Sequence, residues 1–108
     1  MNTDDVMAQR RLARLSKAQM DARLVALHQR AATALQDLKS SEHVRKLALA
    51  RVEKWDAEQL CNPRYVTAWR TILNMPVAAM CAAILTEEVA GVSLRQNSPF
   101  GFLLHEAG

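Results

Sequence analysis

The sequence has few of the residues that β-strands and tight turns require. It contains two phenylalanines, two tryptophans, one tyrosine, three glycines and three prolines among 108 residues. Strands favour aromatic and β-branched side chains, whereas alanine, leucine, arginine and glutamine, which are frequent here, favour helix. The hydrophobic share of 50% is that of a globular chain. We therefore expect an all-α fold in a single domain.

Cysteine is also scarce. Cys61 and Cys81 are the two cysteines, and their spacing matches neither a disulfide framework nor a zinc-binding pair. This pattern predicts a reducing, cytoplasmic compartment. Cys61 stands just before a predicted helix start, where the positive end of the helix dipole can make a thiol reactive. A small buried apolar side chain is the more common role, and we favour that interpretation.

A long apolar segment is missing as well. The longest run without charge or strong polarity, residues 75–85, is much shorter than the ~20 residues that span a bilayer as a helix. Residues 1–5 carry two acids instead of the basic and apolar stretches of a secretory signal. We therefore expect no membrane segment.

The residues that carry catalysis or bind cofactors form no recognisable set. His28, His43 and His105 are far apart in the sequence and lack the spacing of zinc ligands. Solvated histidines on helix edges are the favoured interpretation. Gly91 and Gly101 match neither a Walker loop nor a dinucleotide-binding motif. We therefore predict a protein without catalytic activity, metal or cofactor.

The apolar residues recur at helical intervals. Ser16 and Gln19 form a capping-box pattern, so we predict a break before a helix over 17–39. Within that helix, apolar residues stand at positions 20, 24, 27, 31, 34 and 38. This spacing of four, three, four, three and four is a heptad seam, typical of coiled coils. We expect a partner helix along its full length.

Two further helices are predicted. The helix over 42–60 has an apolar arc centred on Val44, Ala48, Val52 and Trp55. Asn62 and Pro63 provide a cap and a first helical residue for the next helix, over 63–85. Pro76 must interrupt that helix, although the apolar stripe continues on both sides of it.

The lengths and short connections of these helices favour an antiparallel three-helix bundle. We place this bundle at residues 17–90 of the one domain. A short basic N-terminal helix, the arm over 1–16, precedes it, and an apolar tail over 91–108 follows it. Gly91 is expected to stop a last short turn of helix.

Positive charge is concentrated in the first two thirds of the chain. Residues 1–70 hold 13 of the 14 basic side chains. Four cations lie close together in or beside the N-terminal arm and are candidates for phosphate binding: Arg10, Arg11, Arg14 and Lys17. The ordinary role of such a cluster is a solvated face. A helix-turn-helix motif across Pro76 is excluded, because residues 77–85 offer no side chain that reads bases.

Apolar surface exceeds what one three-helix core buries. Residues 77–85 are apolar on every side, which leaves one face for self-association. Small residues on this segment permit close helix approach: Ala78, Ala79, Ala82 and Ala83. The tail is apolar too, through Phe100, Phe102, Leu103 and Leu104. It is expected to dock either on its own bundle or on a partner's.

These features predict a non-catalytic helical module for protein–protein interaction, which forms a homodimer and acts as a small accessory or regulatory protein. The alternative is a small dimeric DNA- or RNA-binding regulator whose N-terminal arm contacts phosphates. The first hypothesis explains the surplus of apolar surface, whereas the second explains the uneven distribution of charge.

Overall fold

A computed structural model describes the backbone of residues 3–104 and the side chains of residues 5–104. Its five α-helices are α1 (Thr3–Gln36), α2 (Ser41–Ala57), α3 (Pro63–Leu73), α4 (Val77–Leu85) and α5 (Val89–Arg95). A 3-10 turn, Gly101–Leu104, follows them. The described residues contain no strand, which confirms the all-α prediction. Because this part of the chain forms five α-helices, the three-helix arrangement is not confirmed.

The first helix runs without interruption through Ser16, so the break predicted there is wrong. A serine inside a helix costs only about 0.5 kcal/mol relative to alanine, and its neighbours favour helix. A capping-box pattern marks a place where a helix can begin, but no packing contact forces the chain to turn at this point. The described chain is consequently elongated, with extents of 55 × 29 × 28 Å.

The second half of α1 forms one wall of the core. Leu27, Ala31 and Leu35 are buried there, and α1 packs against α4 and α2. The heptad seam therefore faces the core in its middle. At its ends the expected partner is missing, because Met20 and Leu38 are 64% and 96% exposed. Leu38 lies beyond the end of α1, in the turn that leads to α2.

Helix α2 packs against both α1 and α3. Its buried residues are those of the predicted apolar arc, Val44, Ala48 and Val52. Trp55 is half-buried at the edge of the same core. Ser40 precedes the helix without capping it. The Ser40 hydroxyl donates instead to the carbonyl oxygen of Ala34 at 2.7 Å and ties the turn to α1.

The corner between α2 and α3 has the predicted cap. The Asn62 side chain accepts a hydrogen bond from the backbone N–H of Arg64 at 2.9 Å, and Pro63 is the first residue of α3. Pro76 separates α3 from α4, as predicted. Leu73 before this break and Met80 after it are both buried, so the two helices share one core.

The chain then folds back over α4. Helix α5 continues through Gly91, so the predicted stop at this glycine is wrong. Gly91 is buried, and the Thr86 methyl group occupies the space that a Cβ would need, so close packing explains the glycine. The buried Arg95 guanidinium donates to the carbonyl oxygens of Ile84 and Thr86 at 3.2 and 2.6 Å. These bonds satisfy carbonyls at the C-terminal end of α4.

Candidate protein interface

The first half of α1 stands clear of the core. Every side chain from residue 7 to residue 20 is exposed, and we call this stretch the free segment. It carries four large apolar side chains that are more than half exposed: Met7, Leu12, Leu15 and Met20. Leu12 and Leu15 are three positions apart and lie side by side on the helix, so they form one exposed apolar patch where another chain can pack.

The leucines of the free segment point away from the protein's own core. On a helix with 3.6 residues per turn, Leu12 and Leu15 lie on the side opposite Ala31 and Leu35. Ala31 and Leu35 are buried at 0% and 1% exposure, whereas Leu12 and Leu15 remain 64% and 55% exposed. No bend of α1 toward the other helices would cover both faces, and no described residue buries these leucines.

The cations predicted to bind phosphate lie on this same segment. Arg10, Arg11, Arg14 and Lys17 are all exposed. Within the described residues, none of the four forms an ion pair. Arg10, Arg14 and Lys17 share one side of the helix, and Arg11 lies closer to the leucines. Arg10, Arg11 and Arg14 line one open depression on α1 with Met7 and Ala13, and Lys17 is not among its lining residues.

The alanine face predicted on α4 is also on the surface. Ala78, Ala79 and Ala82 are exposed, whereas Ala83 is half-buried. Met80, Cys81 and Ile84 fill the opposite side of the helix and are buried in the core. The exposed alanines therefore form a second apolar surface, separate from the free segment.

The apolar tail docks mainly on its own chain. Phe100 and Leu103 are buried at 0% and 4% exposure, and the 3-10 turn that holds Leu103 packs against α1. Phe102 is half-buried, and Leu104 is 63% exposed. Phe100 and Leu103 therefore belong to the core and not to a surface for a partner, which corrects the prediction for these two residues. Residues 105–108 of the predicted tail lie outside the described residues.

The prediction that His28 is a solvated histidine is wrong. Its side chain is fully buried and forms a cluster with the rings of Trp69 and Phe100, at centroid distances of 6.3 and 5.9 Å. The Trp69 indole donates in turn to the carbonyl oxygen of Asn97 at 2.7 Å. His43 is exposed, as expected, and His105 lies outside the described residues.

Hydrogen bonds fix the protonation of the His28 ring. Nδ1 lies 2.6 Å from the carbonyl oxygen of Leu24, and Nε2 lies 2.8 Å from the Ser98 hydroxyl. A carbonyl can only accept, so Nδ1 carries a proton, and in the neutral ring Nε2 accepts from the Ser98 hydroxyl. Burial lowers the pKa of His28 below its usual 6.5; the bond to Leu24 opposes this shift, and the charge of Arg95 adds to it. His28 is therefore neutral near pH 7.

The His28–Ser98 pair has the separation of a base and a nucleophile, but its surroundings are those of a core. Trp69 and Phe100 are both fully buried and pack beside the imidazole. The pair instead joins α1 to the chain segment before the 3-10 turn. One signal in the sequence indicates this placement, because His28 stands seven residues before Leu35 and so shares its buried face.

The cysteines and acids do not form a further site in the described part of the chain. Cys61 is half-buried and Cys81 is buried, and both are free thiols. Between residues 3 and 104, no group of three histidine, cysteine, aspartate or glutamate side chains is placed to hold a metal ion. Among the described helices, none alone has the length and apolar content of a membrane span. Helices α4 and α5 meet this test together, with a bend of 92° between them.

Comparison with known proteins assigns no function to these surfaces. No protein family, curated protein or solved structure matches the chain. The free segment and the exposed face of α4 are the two candidate surfaces among the described residues.

Proposed function

We propose that this chain is a non-catalytic helical module that binds protein, self-associates and works as a small accessory or regulatory protein in the cytoplasm. The free segment of α1 carries this proposal, because Leu12 and Leu15 are 64% and 55% exposed and face away from the core. Covering one leucine completely stabilises an assembly by about 1.5–3 kcal/mol. A partner that covered both would offset a large part of the entropy lost on association.

The exposed face of α4 supports self-association in the same way. Ala78, Ala79 and Ala82 are exposed beside Val77 and Leu85, which are 37% and 38% exposed. Small side chains permit two helix backbones to approach closely, as a symmetric contact requires. Helix α4 has no charged side chain, so burying it in an interface does not require moving a charge out of water.

A DNA- or RNA-binding regulator is the second candidate. The specific observation in its favour is that Arg10, Arg11, Arg14 and Lys17 are exposed on the free segment without ion-pair partners among the described residues. Such cations neutralise phosphates, and the resulting affinity falls steeply as salt rises. The same segment carries exposed leucines that phosphate binding does not explain, so we favour the protein-binding function.

Light scattering after size exclusion tests both candidates in one experiment. The intact 12.1 kDa chain is measured over a range of concentrations, alone and with a labelled DNA duplex at low and moderate salt. We expect the mass of the protein alone to rise toward twice that of the monomer and to change little with the duplex. A monomer at every concentration would contradict self-association, and a salt-sensitive complex with the duplex would favour the regulator.

A further inference from the structure

Helix α1 carries a second heptad seam that faces away from the core. Its positions are Ala8, Leu12, Leu15, Gln19, Ala22 and Ala26, spaced four, three, four, three and four. We call these six residues the outward stripe. All six are exposed, whereas Leu27, Ala31 and Leu35 on the other side are buried. One helix therefore presents two coiled-coil faces, of which the protein's own core uses one.

We propose that the outward stripe pairs with the same stripe of a second copy of this chain, in antiparallel orientation, about a two-fold axis near residue 17. This inference rests on the self-association proposed above and names its interface. The stripe runs for about 27 Å along α1 at 1.5 Å per residue. In this register Leu12 lies opposite the partner's Ala22, and Leu15 lies opposite the partner's Gln19.

The sizes of the side chains fit this register. Each leucine meets a shorter or more flexible side chain, so the separation of the helices stays similar along the leucine layers, as close packing requires. A parallel register would instead pair each leucine with the same leucine of the partner, while Ala8, Ala22 and Ala26 would pair with alanine. Gln19 is the one polar residue of the stripe, and a single polar group at such a position can specify register.

The charges also favour antiparallel pairing. Arg11 would lie opposite the partner's Val25, and Arg23 opposite the partner's Gln9, so no like charges face each other on the flanks. Asp5 would approach the partner's Arg30. A parallel pair would place the two Asp5 carboxylates together and collect the arginines at positions 10, 11 and 14 of both chains at one end. Like charges so placed weaken an interface.

Cross-linking distinguishes the two orientations. In a Cys61→Ser background, which removes the half-buried thiol, we would prepare Ala8→Cys and Ala26→Cys and treat them with a short bifunctional maleimide. The antiparallel register predicts covalent dimers when the two variants are mixed and few when either is treated alone. Cross-linking of each variant with itself, without a product that joins position 8 to position 26 in the mixture, would overturn the proposal.

Charge substitutions test the location of the interface. Leu12 and Met20 are both 64% exposed, but only Leu12 belongs to the outward stripe, so Met20→Glu is a matched control for Leu12→Glu. Neither side chain packs in the core, so both variants should keep the parent's helical circular dichroism spectrum. By light scattering, we expect Leu12→Glu to lower the dimer mass twofold and Met20→Glu to leave it unchanged.

The same measurement on Ala79→Glu separates this inference from the proposed function. If the parent is dimeric, Leu12→Glu remains dimeric and Ala79→Glu dissociates, self-association holds through α4 and the outward stripe is the wrong interface. If the parent is monomeric at every concentration, self-association itself fails, and the outward-stripe dimer fails with it.

Discussion

At the scale of single residues, His28 shows how a polar group becomes part of the core. Its ring is buried, yet both nitrogens have hydrogen-bond partners, Leu24 O at 2.6 Å and Ser98 Oγ at 2.8 Å. Satisfied bonds of this kind remove most of the cost of burying a neutral imidazole. One of the partners is 70 residues away in the sequence. The spacing of residues along α1 therefore indicates that His28 lies on a buried face. It does not indicate the hydrogen bond with Ser98 that makes this burial favourable.

Burial of neutral His28 predicts acid sensitivity of the fold. Its pKa is lowered in the folded state, so below pH 6.5 the unfolded state binds more protons and stability falls. We expect the melting temperature to drop between pH 7.5 and pH 5. In His28→Gln this drop should be smaller, because glutamine does not titrate, although the variant is less stable at neutral pH.

His43→Gln is the control for this experiment, since His43 is exposed. It should follow the parent at each pH. Glu53 has a lowered pKa because of its hydrogen bond with Arg70, so its protonation affects stability in more acidic solution. An equally steep drop in His28→Gln would show that another group causes the acid sensitivity.

At the scale of elements, boundaries with a local chemical cause were predictable. Pro63 and Pro76 lack the N–H that a helix interior needs, and the structure breaks at both. Ser16 and Gly91 misled the prediction, because serine and glycine permit a boundary without requiring one. Close contact with Thr86 explains why residue 91 is glycine. That contact forms only when the chain packs, so the local sequence does not indicate it.

The cap at Asn62 gives a direct test of one such boundary. Its side-chain oxygen accepts from Arg64 N–H at 2.9 Å, so Asn62→Ala should lower the free energy of unfolding by about 1 kcal/mol. Asn62→Asp keeps the acceptor and should stay close to the parent. Urea denaturation measures both variants. Equal losses in the two would mean that the cap does not stabilise the start of α3.

At the scale of the whole molecule, the sequence predicted an excess of apolar surface but not its distribution. Phe100 and Leu103 were expected either on the bundle or on a partner, and contacts with Trp69 and α1 place them in the core. Residues 1–16, which include much of the free segment, were expected to form a separate basic helix. The exposed leucines of the free segment face outward because α1 continues past Ser16. A local capping pattern does not show that the helix continues.

The proposed dimer predicts that pairing with a second copy covers the free segment, which the other described residues leave exposed. Hydrogen exchange at dilute and concentrated protein tests it most directly. Because amides without tertiary support exchange through local opening, those of residues 7–20 should exchange fast in dilute protein. At high concentration they should slow by roughly tenfold, which corresponds to about 1.4 kcal/mol of pairing energy, while those of α3 stay constant. Exchange in residues 7–20 that does not depend on concentration would contradict the account.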